Sequence, residues 1–150
     1  MVVSTLRSPS GATATAAEQP VVSDIRREWD WVRPGIDEIC AASRSLTYRA
    51  EDVYAACVNK QAVLWTTSEG FVISSTEIDQ FTGEKTMFLW LAWAKVRGTS
   101  LVSKYQAFFE QVAREAGYST LETRSPFLGL MSHMEAHGWT VDTVVYTKRL

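Results

Sequence analysis

The chain has 150 residues, 46% of them hydrophobic and six of them tryptophan, which suffices to bury the core of one domain and is too apolar for a disordered segment. Fifteen Lys and Arg against 17 Asp and Glu leave a formal net charge of -2, so bulk charge does not select a nucleic acid partner. No apolar run approaches the roughly 20 residues of a membrane span, and no basic start followed by an adequate apolar run marks a secretory leader.

Residues 1–20 contain 13 Ser, Thr, Ala, Gly or Pro and two charges, Arg7 and Glu18, without periodicity. Residues 1–22 therefore read as a flexible arm and 23–150 as the domain. From Glu28 to Val32 charged and apolar residues alternate, which predicts a half-buried strand over Val21 to Val32 with Trp29 and Trp31 on a shared face. On an exposed edge these two tryptophans are interface candidates. Pro34-Gly35 ends that strand in this reading, and a short helix follows over about 35–44, with Ile36, Ile39, Cys40 and Ser43 on one side. A second helix is predicted over about 50–60, with Val53, Tyr54, Cys57 and Val58 at helical spacing and Glu51 and Asp52 in the first turn. Cys40 and Cys57 share faces with apolar residues and read as core thiols.

The period then changes to two. Strands are predicted over 62–67, 71–78 and from about Thr86 to Ala94, joined by Ser68-Glu69-Gly70 and Thr82-Gly83-Glu84-Lys85. The third strand carries Met87, Leu89, Leu91 and Trp93 on one face and Phe88, Trp90, Ala92 and Ala94 on the other. Both faces are apolar, so it belongs in the middle of a sheet covered on two sides. A basic turn, Lys95 to Ser100, leads into a helix whose stripe is Leu101, Tyr105, Phe108, Phe109, Val112, Ala113 and Ala116, ended by Gly117. A short strand (119–124), a helix (about 127–137, closed by Gly138) and a last strand (140–148) complete the chain.

This order, strand, helix, helix, three antiparallel strands, helix, strand, helix, strand, resembles the GCN5-related N-acetyltransferase (GNAT) fold over about residues 24–150. The local resemblances are Arg97-Gly98 after the central strand, Ala113-Arg114-Glu115-Ala116-Gly117 at the end of the long helix, and Glu135-Ala136-His137-Gly138-Trp139 at the end of the last one. The resemblance implies an α+β (α/β) architecture: a mixed sheet of about six strands flanked by about four helices, with an extended N-terminal arm. It also implies that the turn after the central strand holds the pyrophosphate of coenzyme A on main-chain N–H groups, assisted by the helix dipole. The corresponding residues here are Arg97, Gly98, Thr99 and Ser100. Ser100 and Val102 stand where the family has glycines, and a β-branched Val102 at that place predicts an obstructed turn. The family's general-acid tyrosine corresponds to Met134, and Phe127 stands where Asn is common. His133, about 100° around the helix from Met134, is expected to face elsewhere. Glu77 or Asp79 is the candidate base for an amine.

Two functions follow from the resemblance. In the first the chain is a non-catalytic assembly part, similar to GNAT-like virion-associated proteins of tailed bacteriophages in its Glu28-to-Ile36 start and its bare arm. It would need no cofactor and no metal, and would be made in the host cytoplasm for the virion. There it would contact other virion proteins through residues 1–22, or a second copy of itself. In the second it is a cytoplasmic, acetyl-CoA-dependent N-acetyltransferase using Arg97, Gly98, Thr99 and Ser100 for the cofactor and Glu77 for the amine. The substituted turn and the missing tyrosine favour the first. Neither reading involves a nucleic acid or a membrane.

Overall fold

In the computed structural model, which describes residues 17–43 and 47–150, five strands form one sheet in the order β1-β2-β3-β4-β5. The strands are β1 (Val21–Ser23), β2 (Ala62–Thr67), β3 (Gly70–Ile78), β4 (Lys85–Ala94) and β5 (Thr120–Thr123). β1 through β4 pair antiparallel, and β5 joins β4 in parallel. The helices are α1 (Ile25–Ala42), α2 (Ala50–Val58), α3 (Leu101–Lys104), α4 (Gln106–Glu115) and α5 (Met131–Ala136), the last preceded by a 3-10 turn over Leu128–Leu130.

The sheet is covered on both faces, as the two apolar faces of β4 require. On one side α1 and α2 pack Ile25, Val32, Ile36 and Val53 against Leu64, Phe71, Ile73 and Leu91. On the other, α3 and α4 pack Leu101, Val102, Tyr105, Phe109 and Ala113 against Trp65, Val72, Met87 and Leu89. Among the described residues no helix is long and apolar enough to cross a membrane.

Three expectations are corrected. Residues 25–32, expected as a strand, are the start of an 18-residue helix that runs through Pro34. Asp24 caps it by accepting from the Arg26 N–H, and Ile25, Trp29, Val32 and Ile36 recur at helical spacing along the buried stripe. The alternation over Glu28–Val32 covers only five residues, which is also what one and a half turns of an amphipathic helix produce. Pro34 is tolerated because tertiary packing on both sides of it outweighs one lost hydrogen bond. Trp29 and Trp31 are accordingly half-buried helix residues packed on their own core. Trp29 meets Tyr54 edge-on at 4.8 Å, and Trp31 meets Phe71 at 5.9 Å while donating its Nε1 to Glu28 at 2.7 Å.

The second correction concerns β4. Ile73 pairs with Leu91 while the next residue, Ser74, pairs with Leu89, so Trp90 is an extra residue in a β-bulge. Met87 and Leu89 therefore face α3 and α4, whereas Leu91 and Trp93 face α1 and α2. The single continuous face expected from alternation does not exist.

The third is that residues 140–148 form no strand, which leaves five strands where about six were expected. Of the expected arm, residues 1–16 lie outside the described residues, and Val21 and Val22 pair with Thr66 and Trp65 as part of the sheet.

Gly35 is where α1 comes closest to the sheet. A Cβ there would sit 2.7 Å from both Phe71 Cε1 and Trp93 Cδ2, two rings stacked at 5.7 Å. Gly35→Ala is expected to destabilise the fold by about 1–3 kcal/mol through overpacking, despite alanine's better helix propensity. Urea unfolding checks this, and an unchanged or higher midpoint would contradict it.

Candidate functional site

The site is built on the outer half of β4 and the turn that follows. β5 pairs with β4 only over Thr86 to Leu89, so from the bulge onward β4 has a neighbour on one side alone. The Lys95 N–H donates to the Glu69 carbonyl at 2.8 Å, across to the β2–β3 connection. Since main-chain groups alternate sides along a strand, those of Ala92 and Ala94 point the other way, into the gap beyond the end of β5. The bulge and the early end of β5 thus leave main-chain donors and acceptors facing an opening between two strands.

The turn itself, Lys95 to Ser100, is exposed except for a half-buried Thr99. Thr99 donates to the Val96 carbonyl at 3.3 Å. Gly98 adopts φ +85° with open space where a Cβ would lie, so this residue provides both the left-handed turn and an unobstructed approach to the backbone. Ser100 caps α3, accepting from the Ser103 N–H at 3.2 Å. The main-chain N–H groups of Gly98, Ser100, Leu101 and Val102 make no hydrogen bond among the described residues. With Lys95 and Arg97 beside them, they form a donor set suited to an anion.

Val102 does not obstruct this donor set. It is only 9% exposed and packs in the core with Leu101, Tyr105 and Phe109, pointing away from the turn's open side. The expectation of a blocked turn assumed that the side chain follows the N–H outward. On the first turn of a helix the two diverge, and the apolar stripe turns Val102 inward.

Polar contacts fix the turn's surroundings. Lys104 and Tyr105, at the junction of α3 and α4, both donate to Glu69 on the β2–β3 connection, the tyrosine at 3.2 Å. The Lys104 hydrogen bond holds the Glu69 carboxyl below its ordinary range and raises the lysine in return. Glu18 accepts from the Ser68 hydroxyl at 2.6 Å and the Ser68 N–H at 2.7 Å, which lowers its pKa. Lys95 lies over the Trp31 ring at 5.2 Å.

The last helix contributes a residue that sequence reasoning set aside. His133 Nε2 lies 2.7 Å from Ser103 Oγ, which in turn accepts from Ser100 Oγ at 3.2 Å. His133 is thereby joined to the N-terminal turn of α3, while the half-buried Met134 occupies the position corresponding to the tyrosine. No spacing in the sequence signals this contact, because its partners lie 30 residues apart.

Glu77, near the end of β3, is exposed and held by Arg124 in a two-oxygen pair at 3.1 and 3.2 Å. Asp79 accepts from the N–H groups of Phe81 and Thr82 at 2.8 and 2.9 Å, which lowers its pKa and commits it to the hairpin turn. On the α1/α2 side of the bulge, Trp90 faces Tyr48 at 5.2 Å, and burial raises the Tyr48 pKa. Cys57 is half-buried, and burial pushes its thiol up to about 11.

No family model matches the sequence, and no curated protein is significantly similar to it. Solved structures do match in fold. A structure described as a "probable acetyltransferase" superposes with a TM-score of 0.67 at 13% identity, covering 89% of this chain and 97% of its own. The ribosomal-protein-alanine N-acetyltransferase of Brucella melitensis biovar Abortus 2308 gives 0.65 at 15% identity, over 89% of this chain and all 100% of its own. An acetyltransferase of Trypanosoma brucei gives 0.60 at 10% identity, over 88% and 99%. The chain has the GNAT fold. These matches overturn the expectation that no cofactor is involved. That expectation rested on a degenerate turn, and the fold shared with acetyltransferases here carries an open turn with Val102 in the core.

Proposed function

We propose that this protein is an acetyl-CoA-dependent N-acetyltransferase acting on an amine. The observation that carries the reading is the open donor set after β4: an unobstructed Gly98, N–H groups of Gly98, Ser100, Leu101 and Val102 that are unpaired among the described residues, and Val102 itself turned into the core. The fold of the neighbours described as acetyltransferases supports it.

In this reading Arg97, Gly98, Thr99 and Ser100 hold the pyrophosphate, the positive side chains and N–H groups offsetting its charge. When bound, acetyl-CoA supplies an acetyl group activated as a thioester. The main-chain groups of Ala92 and Ala94 border the opening and orient what enters it, in a position to donate where negative charge develops. His133, bonded to Ser103, places an imidazole beside the turn. Glu77, the candidate base for the amine, is paired with Arg124 at 3.1 Å and serves as base when that exposed pair opens. The assembly reading drew on an arm of which residues 1–16 lie outside the described residues, and it gains no support from the open turn.

Calorimetry with coenzyme A tests the proposal. Saturable micromolar binding is expected, weakened about fivefold in Arg97→Ala, as loss of one exposed charge-assisted contact of about 1 kcal/mol predicts. Release of free thiol from acetyl-CoA in the presence of an amine panel is the catalytic readout. Silence at millimolar coenzyme A overturns the reading, and binding without thiol release returns the chain to a non-catalytic role.

A further inference from the structure

α3 is a single helical turn that α4 does not hold in line. Tyr105, at φ -107° and ψ 18°, separates Leu101–Lys104 from Gln106–Glu115 and belongs to neither helix. The turn is closed by the Lys104 N–H on the Ser100 carbonyl at 3.0 Å and the Tyr105 N–H on the Leu101 carbonyl at 2.9 Å. One helical turn does not persist by itself. Leu101 and Val102 seat it on the core, but apolar contact is non-directional, so polar ties must set where its N–H groups point. His133 supplies one such tie, at Ser103.

Glu69 ties the segment at both ends. Its carbonyl accepts from the Lys95 N–H at 2.8 Å, where β4 has ended, and its Oε1 accepts from Lys104 Nζ and, at 3.2 Å, from the Tyr105 hydroxyl, where α3 ends. The ties start from a fixed point. Ser68 and Glu69 form a two-residue connection closed by the pairing of Thr67 with Gly70, and the Glu69 N–H donates to Thr67 Oγ1 at 3.0 Å. Ser68 is held in turn by Glu18. Electrostatics gives no reason for this placement. A carboxylate beside a donor set for an anion works against the anion and cancels the charge that Lys104 brings. What Glu69 contributes is geometry.

We infer, resting on the acetyl-CoA reading above, that Glu69 is a positioning residue for the coenzyme A site: by joining Lys95, Lys104 and Tyr105 it fixes the segment that presents the main-chain donors. Donors fixed before the ligand arrives need no ordering when it binds.

Glu69→Ala and Glu69→Gln separate geometry from charge. Both remove the carboxylate's charge, and only the glutamine still offers Lys104 and Tyr105 an acceptor oxygen. Calorimetry is expected to show coenzyme A binding about fivefold weaker in Glu69→Ala, and as tight as in the parent or tighter in Glu69→Gln. Without ligand, amide hydrogen exchange at Lys104 and Tyr105 is expected to quicken about tenfold in Glu69→Ala and to stay at the parent's rate in Glu69→Gln. The Lys104–Glu69 pair is partly exposed and contributes little to global stability, so both variants are expected to melt within about 4 °C of the parent. Equal or tighter coenzyme A binding in Glu69→Ala, unchanged exchange there, a glutamine variant that behaves like the alanine, or a larger fall in melting temperature each overturns the assignment. A parent protein that binds no coenzyme A overturns the acetyl-CoA reading instead, and the exchange rates then still decide whether Glu69 holds the turn.

Discussion

Replacing Gly70 by alanine is expected to cost about 3 kcal/mol, more than any substitution of similar size elsewhere in the sheet. A Cβ at this position would lie 2.0 Å from the Trp93 carbonyl oxygen and 3.0 Å from Ala94 Cα, at a φ of +156° that side chains rarely accept. The obstacles are main-chain atoms of the neighbouring strand, so no rotamer change relieves them. Leu101 Cδ1 closes the remaining side at 2.9 Å. β3 and β4 must separate where Gly70 pairs with Ala94, and the last strand residue before the Lys95–Ser100 turn moves with them. For a domain of this size about 3 kcal/mol lowers the melting temperature by roughly 6–12 °C. Differential scanning calorimetry reads this directly, and coenzyme A affinity should fall in parallel. A variant melting within a degree of the parent would show that the strands slide apart freely there.

The second large effect is at Val102, where two pictures of the turn give opposite results. If the side chain stood over the donor set, Val102→Gly would open it and tighten coenzyme A binding. Because Val102 is buried with Leu101 and Tyr105, the glycine is expected instead to remove about 1.5–2 kcal/mol of apolar burial and add about 1 kcal/mol of helix penalty. Denaturant unfolding should therefore show a loss of about 3 kcal/mol with no gain in affinity. Val102→Ala separates the components, losing the burial alone. Tenfold tighter binding in either folded variant would place the side chain back over the turn.

Much of the architecture was legible because period and composition agreed. β2 and β3 are runs rich in β-branched and aromatic residues between well-defined turns, and α2, α3 and α4 carry apolar residues at helical spacing. The element order alone was enough to reach the fold. What remained hidden falls into two kinds. The bulge at Trp90 leaves no trace in hydropathy, because a strand apolar on both faces reads the same with or without an extra residue. The start of α1 was misread because five alternating residues fit both periods, and the deciding partners, Tyr54 and Phe71, come from distant segments. The candidate site shows the same division. Arg97 to Ser100 were found in sequence, while the inward turn of Val102 and the contact of His133 with Ser103 depend on packing between elements.

The extra residue in β4 also governs how this chain should be aligned with others. Up to Leu89 odd-numbered positions face α3 and α4; from Leu91 onward they face α1 and α2. Deleting Trp90 would turn the bulge into regular pairing, with Ser74 opposite Leu89 and Ile73 opposite Leu91 as consecutive pairs, and leave every later position in its present layer. Swapping one apolar side chain for another would disturb only its own neighbourhood. A strand without the bulge, compared with β4 column by column and with no gap at Trp90, would have its outer half assigned to the wrong layer.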